Sequence, residues 1–440
     1  MKNIFAFFCF LLVGNLQSQT LNTAKLDSFL NLLEKENQAM GSIAISQNGK
    51  IVYQKGIGFG DNQTTPNPKI NENSRFRVGS VSKMFTAVLI FQLIEAKKLS
   101  LDTKLSKFFK TIPNSKKITI AHLLQHRSGI FNFTNDEKYL EMAYTPISEE
   151  DLVKHIAAYP ADFQPDAKAD YSNSNYVLLG LIVEKLYKKP LSEVLKTQIC
   201  DKIGLKNTYI GNKIDVAKNE VHSFGFLEKW EKSPETDMSV PRGAGAVVAT
   251  PADLLIFIDA LFAEKLVNKT HLEKMKTLKD GYGMAMFQTP FYDKKSWGHT
   301  GGIDEFSSIL TYFEKEKLAL AYCSNGTVYG FNDVLIGILS VCFDKKYEFP
   351  SFKTIELSED YLKACEGVYS SKNFPLKISL TRKGKKLFAQ ATGQGEFPLT
   401  ATEEGIFTFD AANIVIKMKA DKSGFNFKQN GQTFDFEKEK

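Results

Sequence analysis

Between residues 345 and 357 the hydrophobic period of the chain changes, and this change limits what the chain can fold into. After it, apolar residues alternate with period two through Leu376–Leu380, Leu387–Ala391, Ile406–Phe409, Ile414–Met418, Phe425–Phe427 and Phe434–Phe436. Turn pairs at Lys383-Gly384, Ser423-Gly424 and Asn430-Gly431 separate these runs, which is the pattern of short antiparallel strands. Before it, helical and strand-like periods are mixed. The reading is a main domain over 20–345, a linker over 346–357 and a small all-β domain over 358–440, with no internal repeat. A length of 440 residues, at about 100–200 residues per domain, agrees with that division.

In the main domain, Leu26, Phe29, Leu30 and Leu33 share one face of a helix over 21–36. Two strands, Ser42–Ser46 and Ile51–Gln54, follow, joined through Asn48-Gly49, a strong hairpin signal. Ser80–Ala96, 119–127 and 174–188 read as helices, as does the run after Thr250-Pro251-Ala252-Asp253, where Thr is an N-cap and Pro fits the first turn. Strands return at Ser307–Tyr312 and Leu318–Tyr322.

The N-terminus reads as an export signal over 1–19: Lys2, the apolar run Ile4–Val13, then Gln17-Ser18-Gln19. The alternative is an uncleaved anchor, but the run is shorter than the roughly 20 residues that span a bilayer. The mature protein is expected to be periplasmic or secreted, with no membrane span. Four cysteines, Cys200, Cys323, Cys342 and Cys365, follow the leader without metal-ligand spacing and read as buried thiols, although pairing cannot be deduced. Of 56 basic residues only five are Arg, and the Lys residues are scattered among 50 acids. Arg is the side chain best suited to phosphate and base edges, so nucleic acid is not an expected partner.

The chemistry lies in three separated strings. Ser80-Val81-Ser82-Lys83 places a hydroxyl and an amine at i and i+3 on a helix, within mutual reach. A serine needs a base to become a nucleophile, and a desolvated lysine can be one, because burial disfavours its charged form. A helix N-terminus adds N–H groups where an oxyanion would develop. Tyr171-Ser172-Asn173 and His299-Thr300-Gly301 follow in order.

These strings resemble the three motifs S-x-x-K, Y-x-N and [KH]-[TS]-G of the penicillin-recognising serine hydrolases, the superfamily of β-lactamases and D-alanyl-D-alanine carboxypeptidases. Phe76–Lys83 and Ile118–Gly129 are similar to segments of its class C β-lactamase-like branch, as are Gly243–Asp253 and Trp297–Ser307. The resemblance covers most of 40–345. It implies an α/β (α+β) fold: an antiparallel sheet flanked by helices, with a mostly helical subdomain and the Ser80 helix between them.

It further implies Ser80 as acylated nucleophile, with Lys83 or Tyr171 as base. Tyr171 would be a phenol whose pKa a neighbouring ammonium lowers, and Asn173 would hold Lys83 and the substrate amide. The N–H groups of Ser80 and Gly302 would form an oxyanion hole. His299, Thr300 and Gly301 would line the substrate edge, with a cationic His299 available to anchor an anion. No cofactor and no metal is implied. His122 and His126 are four apart, but Leu123 stands where H-E-x-x-H needs Glu, so a hydrogen-bonded structural role fits better.

Two departures from the family pattern stand out. Pro165-Asp166 replaces Pro-Gly, and Asp304-Glu305 follows the His-Thr-Gly-Gly run where relatives often have Gly at the second position, here Glu305. The carboxylate at Glu305 should repel a substrate carboxylate and favour esters or substrates with a free amine. The expected activity is an exported serine hydrolase, of esterase or D-peptidase type, on a small-molecule or peptide substrate. A true β-lactamase is the alternative, and a non-catalytic sensor or binding protein is the alternative of another class. The C-terminal domain would either cap the entrance or bind a cell-envelope polymer.

Overall fold

The computed structural model describes residues 21–63, 67–409, 412, 414–429 and 432–439. The leader read over 1–19 and the Asn430-Gly431 turn lie outside these residues. Helix α1 (Thr23–Lys35) is capped by Asn22 and buries Leu26, Phe29, Leu30 and Leu33 as one stripe. Strands β1 (Ala39–Gln47) and β2 (Lys50–Ile57) follow. Asn48 and Gly49 both take positive φ, 54° and 72°, as a two-residue hairpin turn of matching twist requires.

Strands β3 (Phe287–Phe291), β4 (Lys294–Ile303), β5 (Phe306–Phe313) and β6 (Leu318–Thr327) complete an antiparallel sheet of order β2-β1-β6-β5-β4-β3. Strand β1 therefore lies between its hairpin partner and β6, with Ile43 opposite Tyr322. Alternate residues face opposite layers: Ile43 and Ile45 pack with α1 and with Phe331–Cys342, whereas Ala44 joins the larger core.

That larger core is built from α2 (Ser82–Glu95), α3 (Ile120–Leu124), α4 (Asn173–Tyr187) and α5 (Pro251–Phe262). Helix α2 is apolar almost all round and is buried from Ser82 to Phe91, as a helix enclosed between layers must be. Phe85 stacks on Phe257 of α5 at 3.8 Å. Thr250 caps α5 by accepting from the Asp253 N–H, and Pro251 occupies its first turn. The helix expected over 119–127 is shorter, because Thr119 caps it at Ile120 and His126 turns to φ 56°. All four cysteines of the described residues are buried and unbridged.

The C-terminal strands β7 (Gly367–Ser371), β8 (Phe374–Lys383), β9 (Lys386–Ala391), β10 (Glu396–Glu403), β11 (Ile406–Phe409), β12 (Ile414–Met418), β13 (Gly424–Gln429) and β14 (Gln432–Lys438) form a closed barrel. Closure is made by β14 against β7, where Tyr369 faces Lys438. Alternation did not reveal β7, β10 or the short helix Glu359–Cys365. Pro398 interrupts the pattern of β10, and β7 is mostly small and polar. The interior is filled by side chains such as Tyr369, Leu387, Phe407 and Phe425, so the barrel is a packed core and not a channel.

Candidate active site

Ser80 lies in a single 3₁₀ turn, Gly79–Val81, that runs directly into α2. The turn is fixed from both sides. Ser82 Oγ accepts the Val247 N–H at 2.9 Å, and Gly79 takes φ 49° against β4. A Cβ on Gly79 would stand 2.8 Å from Gly302 N, so this close crossing requires glycine.

One helical turn on, Lys83 is completely buried. Its Nζ lies 2.9 Å from Ser80 Oγ, 2.8 Å from Asn173 Oδ1 and 2.8 Å from Ala244 O. Two of its positions are thus committed to donating to carbonyls, and the third faces the serine hydroxyl. In the neutral amine that third position is a lone pair able to take the serine proton. Burial pushes the Lys83 pKa well below its ordinary value, with no carboxylate partner to oppose it. The Ala244 carbonyl comes this close because Gly180 and Gly243 let two helices nearly touch: a Cβ on Gly243 would stand 2.7 Å from Tyr176 O.

Asn173 begins α4 and is held by its neighbours. Its N–H donates to Asn132 Oδ1 at 2.9 Å and its Nδ2 donates to Thr134 Oγ1 at 3.0 Å, which leaves Oδ1 for Lys83. Tyr171 OH lies 2.8 Å from Ser80 Oγ. Its phenol departs from expectation, since burial raises the pKa more than the hydrogen bond to Ser80 lowers it. With no net ammonium effect on Tyr171 and a depressed Lys83, the amine is the better proton acceptor of the two.

His126 stacks on Tyr171 at 4.4 Å, and its Nδ1 accepts the Ser172 N–H at 3.1 Å. His122 closes a capping box with Thr119. Each imidazole thus works as a local hydrogen-bonding group. His299 is 4% exposed and lies behind the cavity against Phe287, ring centroids 4.5 Å apart. Burial, then the nearby Lys83, push its pKa down to about 3, so it is a neutral ring and not the cationic anchor expected from the motif. Thr300 is exposed but lines no part of the cavity beside Ser80, and Gly301 serves packing: a Cβ there would meet Val78 O at 2.1 Å.

Strand β3 pairs only with Lys294–Gly298, so β4 from His299 to Ile303 has no neighbouring strand on that edge. The Ser80 turn abuts this edge, and Gly302 lines the same cavity as Ser80. That cavity, of about 590 Å³, is walled by Phe133, Tyr139, Tyr144, Asn173 and Phe306 among others. All its lining residues fall within 79–307, so no barrel residue lines this cavity. The barrel instead meets the main body through Lys386–Glu228 at 3.5 Å, and its β10 holds the linker through the Ile355 N–H to Ala401 O bond.

The two departures resolve differently. Asp166 adopts φ 72°, as an Asp in place of Gly can, and pairs with Lys279 and Arg127, which together hold its pKa at about 2. Asp304, the first residue of the second departure, is spent internally. Its carboxylate is buried, 3.0 Å from Arg77 Nη1, and accepts from Thr236 N–H at 3.0 Å and Thr236 Oγ1 at 2.7 Å. Glu305 remains exposed at the cavity wall. The sequence reading missed Ala244, Asn132, Thr134 and Arg77. A backbone carbonyl leaves no trace in spelling; Arg77, three residues before Ser80, could have been noticed as one of only five arginines.

The beta-lactamase family model matches residues 30–337. The chain belongs to the beta-lactamase family. That membership places it in a hydrolase family. It is 25% identical over 327 residues to penicillin-binding protein 4* of Bacillus subtilis (strain 168), covering 68% of this chain and 71% of that relative. To the teichoic acid D-alanine hydrolase of Staphylococcus aureus it is 26% identical over 326 residues, covering 71% and 75%. Among solved structures, D-amino acid amidase from Ochrobactrum anthropi SV3 complexed with D-phenylalanine superposes with a TM-score of 0.66 at 21% identity, over 73% of this chain and 99% of that one. The octameric penicillin-binding protein homologue from Pyrococcus abyssi gives 0.67 at 23% identity over 95% and 100%, so its fold parallels the barrel as well.

Proposed function

We propose that this beta-lactamase family member is an exported hydrolase that forms an acyl-enzyme on Ser80 and acts on an ester or a D-amino-acid amide. The observation that carries this reading is Ser80 Oγ between a buried Lys83 Nζ at 2.9 Å and Tyr171 OH at 2.8 Å. Lys83 Nζ takes the Ser80 proton as Oγ bonds to the acyl carbon. The carbonyl electron pair moves onto oxygen, facing the N–H groups of Ser80 and Gly302. As the carbonyl re-forms, the bond to the leaving group breaks, and that group receives the proton from Lys83 through Tyr171. A water then attacks the Ser80 ester, passing its proton back along the same pair, and free acid and serine are regenerated. Asn173 holds Lys83 in line throughout.

The relatives named above, a D-alanine hydrolase and a D-amino acid amidase, support D-configured amino acyl groups as the substrate class. Intact-mass measurement after a fluorophosphonate or a penicillin tests the acyl step. An adduct is expected in the native protein and not in Ser80→Ala; no adduct with any acylating probe would make this a binding protein. Rapid turnover of a chromogenic cephalosporin would instead favour the β-lactamase reading. Export rests on the leader over 1–19, and recovery of a mature chain starting near Thr20 tests it. A cell-envelope polymer on the outside of the barrel belongs to the same reading, since the barrel interior is filled.

A further inference from the structure

The cavity beside Ser80 has an uneven charge inventory. Its lining includes two ionisable acid or base side chains besides tyrosines, Asp304 and Glu305, and no Lys, Arg or His. Asp304 is used up: Arg77, fixed in turn by the carbonyls of Thr236 and Asn212, neutralises it, and Thr236 donates twice more. Arg77 is 3% exposed and offers nothing to a ligand. Glu305 is exposed, and among the described residues its carboxylate has no hydrogen-bond or ion-pair partner. Only its backbone N–H is tied, to Ser223 Oγ at 3.3 Å.

The hairpin geometry places this carboxylate with respect to the chemistry. Asp304 and Glu305 form the two-residue turn between β4 and β5, with Ile303 opposite Phe306. Asp304 takes φ 53°, and its ion pair to Arg77 pins the turn to the strand that leads into Ser80. Glu305 is thereby held three residues beyond Gly302 on a rigid tip. Tyr139 and Tyr144 line the same cavity, and aromatic rings also favour a cation. An anionic substrate group would find no positive partner here; a cationic one would meet a free carboxylate and aromatic walls.

We infer that Glu305 is a specificity residue that receives the free ammonium group of an aminoacyl ester or amide bound at Ser80, so that the enzyme selects substrates whose amine is unblocked. This deepens the hydrolase reading and rests on it. The experiment compares kcat/KM for D-alanine p-nitroanilide with that for N-acetyl-D-alanine p-nitroanilide, in the native protein and in Glu305→Gln. The native protein should prefer the free amine, and the ratio should fall about tenfold in Glu305→Gln, through KM rather than kcat, the size of one lost charged contact. Glu305→Asp should recover part of the ratio. A ratio that changes less than twofold in Glu305→Gln, or a native preference for the acetylated compound, overturns the assignment. The fluorophosphonate adduct on the native protein separates the two levels. With an adduct and an unmoved ratio, or an adduct and turnover of neither anilide, the ammonium site alone fails. Without an adduct, the hydrolase reading fails first.

Discussion

At the residue scale, the proposed mechanism depends on Lys83 losing its charge. The buried amine has no carboxylate neighbour, so its base form is reached well below the pH at which an ordinary lysine titrates. Raising pH removes the proton and creates the acceptor. The acylation rate should therefore rise with pH on the acid side and level off well below the pH at which an ordinary lysine loses its proton. Lys83→Arg keeps a charge that cannot be removed, and should lower acylation about 10²–10⁴-fold by stopped-flow burst. His299 gives a second prediction. Its folded pKa of about 3 lies below the roughly 6.5 of an unfolded histidine. As pH falls below 6.5, the unfolded chain binds the proton first, so the stability held above that value is lost progressively toward pH 3. The melting temperature should drop between pH 6.5 and 5, and drop less in His299→Gln, while KM shows no step belonging to this ring.

Both predictions concern groups whose type was legible in the sequence but whose state was not. The spacing of Ser80 and Lys83, and the motif Tyr171–Asn173, named the four side chains that the structure brings together, whereas His299 and Thr300 of the third motif do not join them at the cavity. Whether a histidine faces a substrate or lies behind Phe287 depends on which side of β4 it occupies and on how far β3 runs. Neither is written in a three-residue motif. The same holds for Asp304, whose partner Arg77 is distant in the chain and adjacent in space.

At the element scale, the proposed oxyanion site is a crossing of β4 over the turn before α2, and glycines set its distance. A Cβ on Gly301 would lie 2.1 Å from Val78 O and 3.0 Å from Ser80 N, whereas one on Gly302 would find Phe306 O at 3.9 Å. Gly301→Ala should push the strand away, costing about 1–3 kcal/mol of stability and about 10²-fold in kcat. Gly302→Ala should cost less than about 1 kcal/mol in the same denaturant titration. Equal losses in the two variants would remove the argument for a close crossing. Elements were read well wherever one period persisted, as in α1 and α4. They were read poorly where Pro398 broke the alternation of β10, or where the Thr119 cap and the positive φ of His126 shortened α3.

At the scale of the whole molecule, the barrel core and the two cores of the main body share no residue. Phe436 is buried at the barrel centre, stacked on Phe425 at 5.1 Å. Phe436→Ala should destabilise the barrel by about 3–5 kcal/mol, seen as an earlier unfolding step, with kcat of the folded enzyme within twofold of native. A matching fall in kcat would mean that the barrel supports the site after all. The sequence separated the two units because their periods differ. Closure of the barrel was not legible, because it depends on β14 meeting β7 in space.

Strand β1 sits between β2 and β6, and everything from residue 58 to 286 is threaded out and back between β2 and β3. During synthesis, β1 must therefore wait with one edge bare until β6 emerges. Such high contact order slows folding, because the entropy of closing a long loop is lost before the pairing can compensate for it. A polypeptide that must cross a membrane before it folds would gain from that delay.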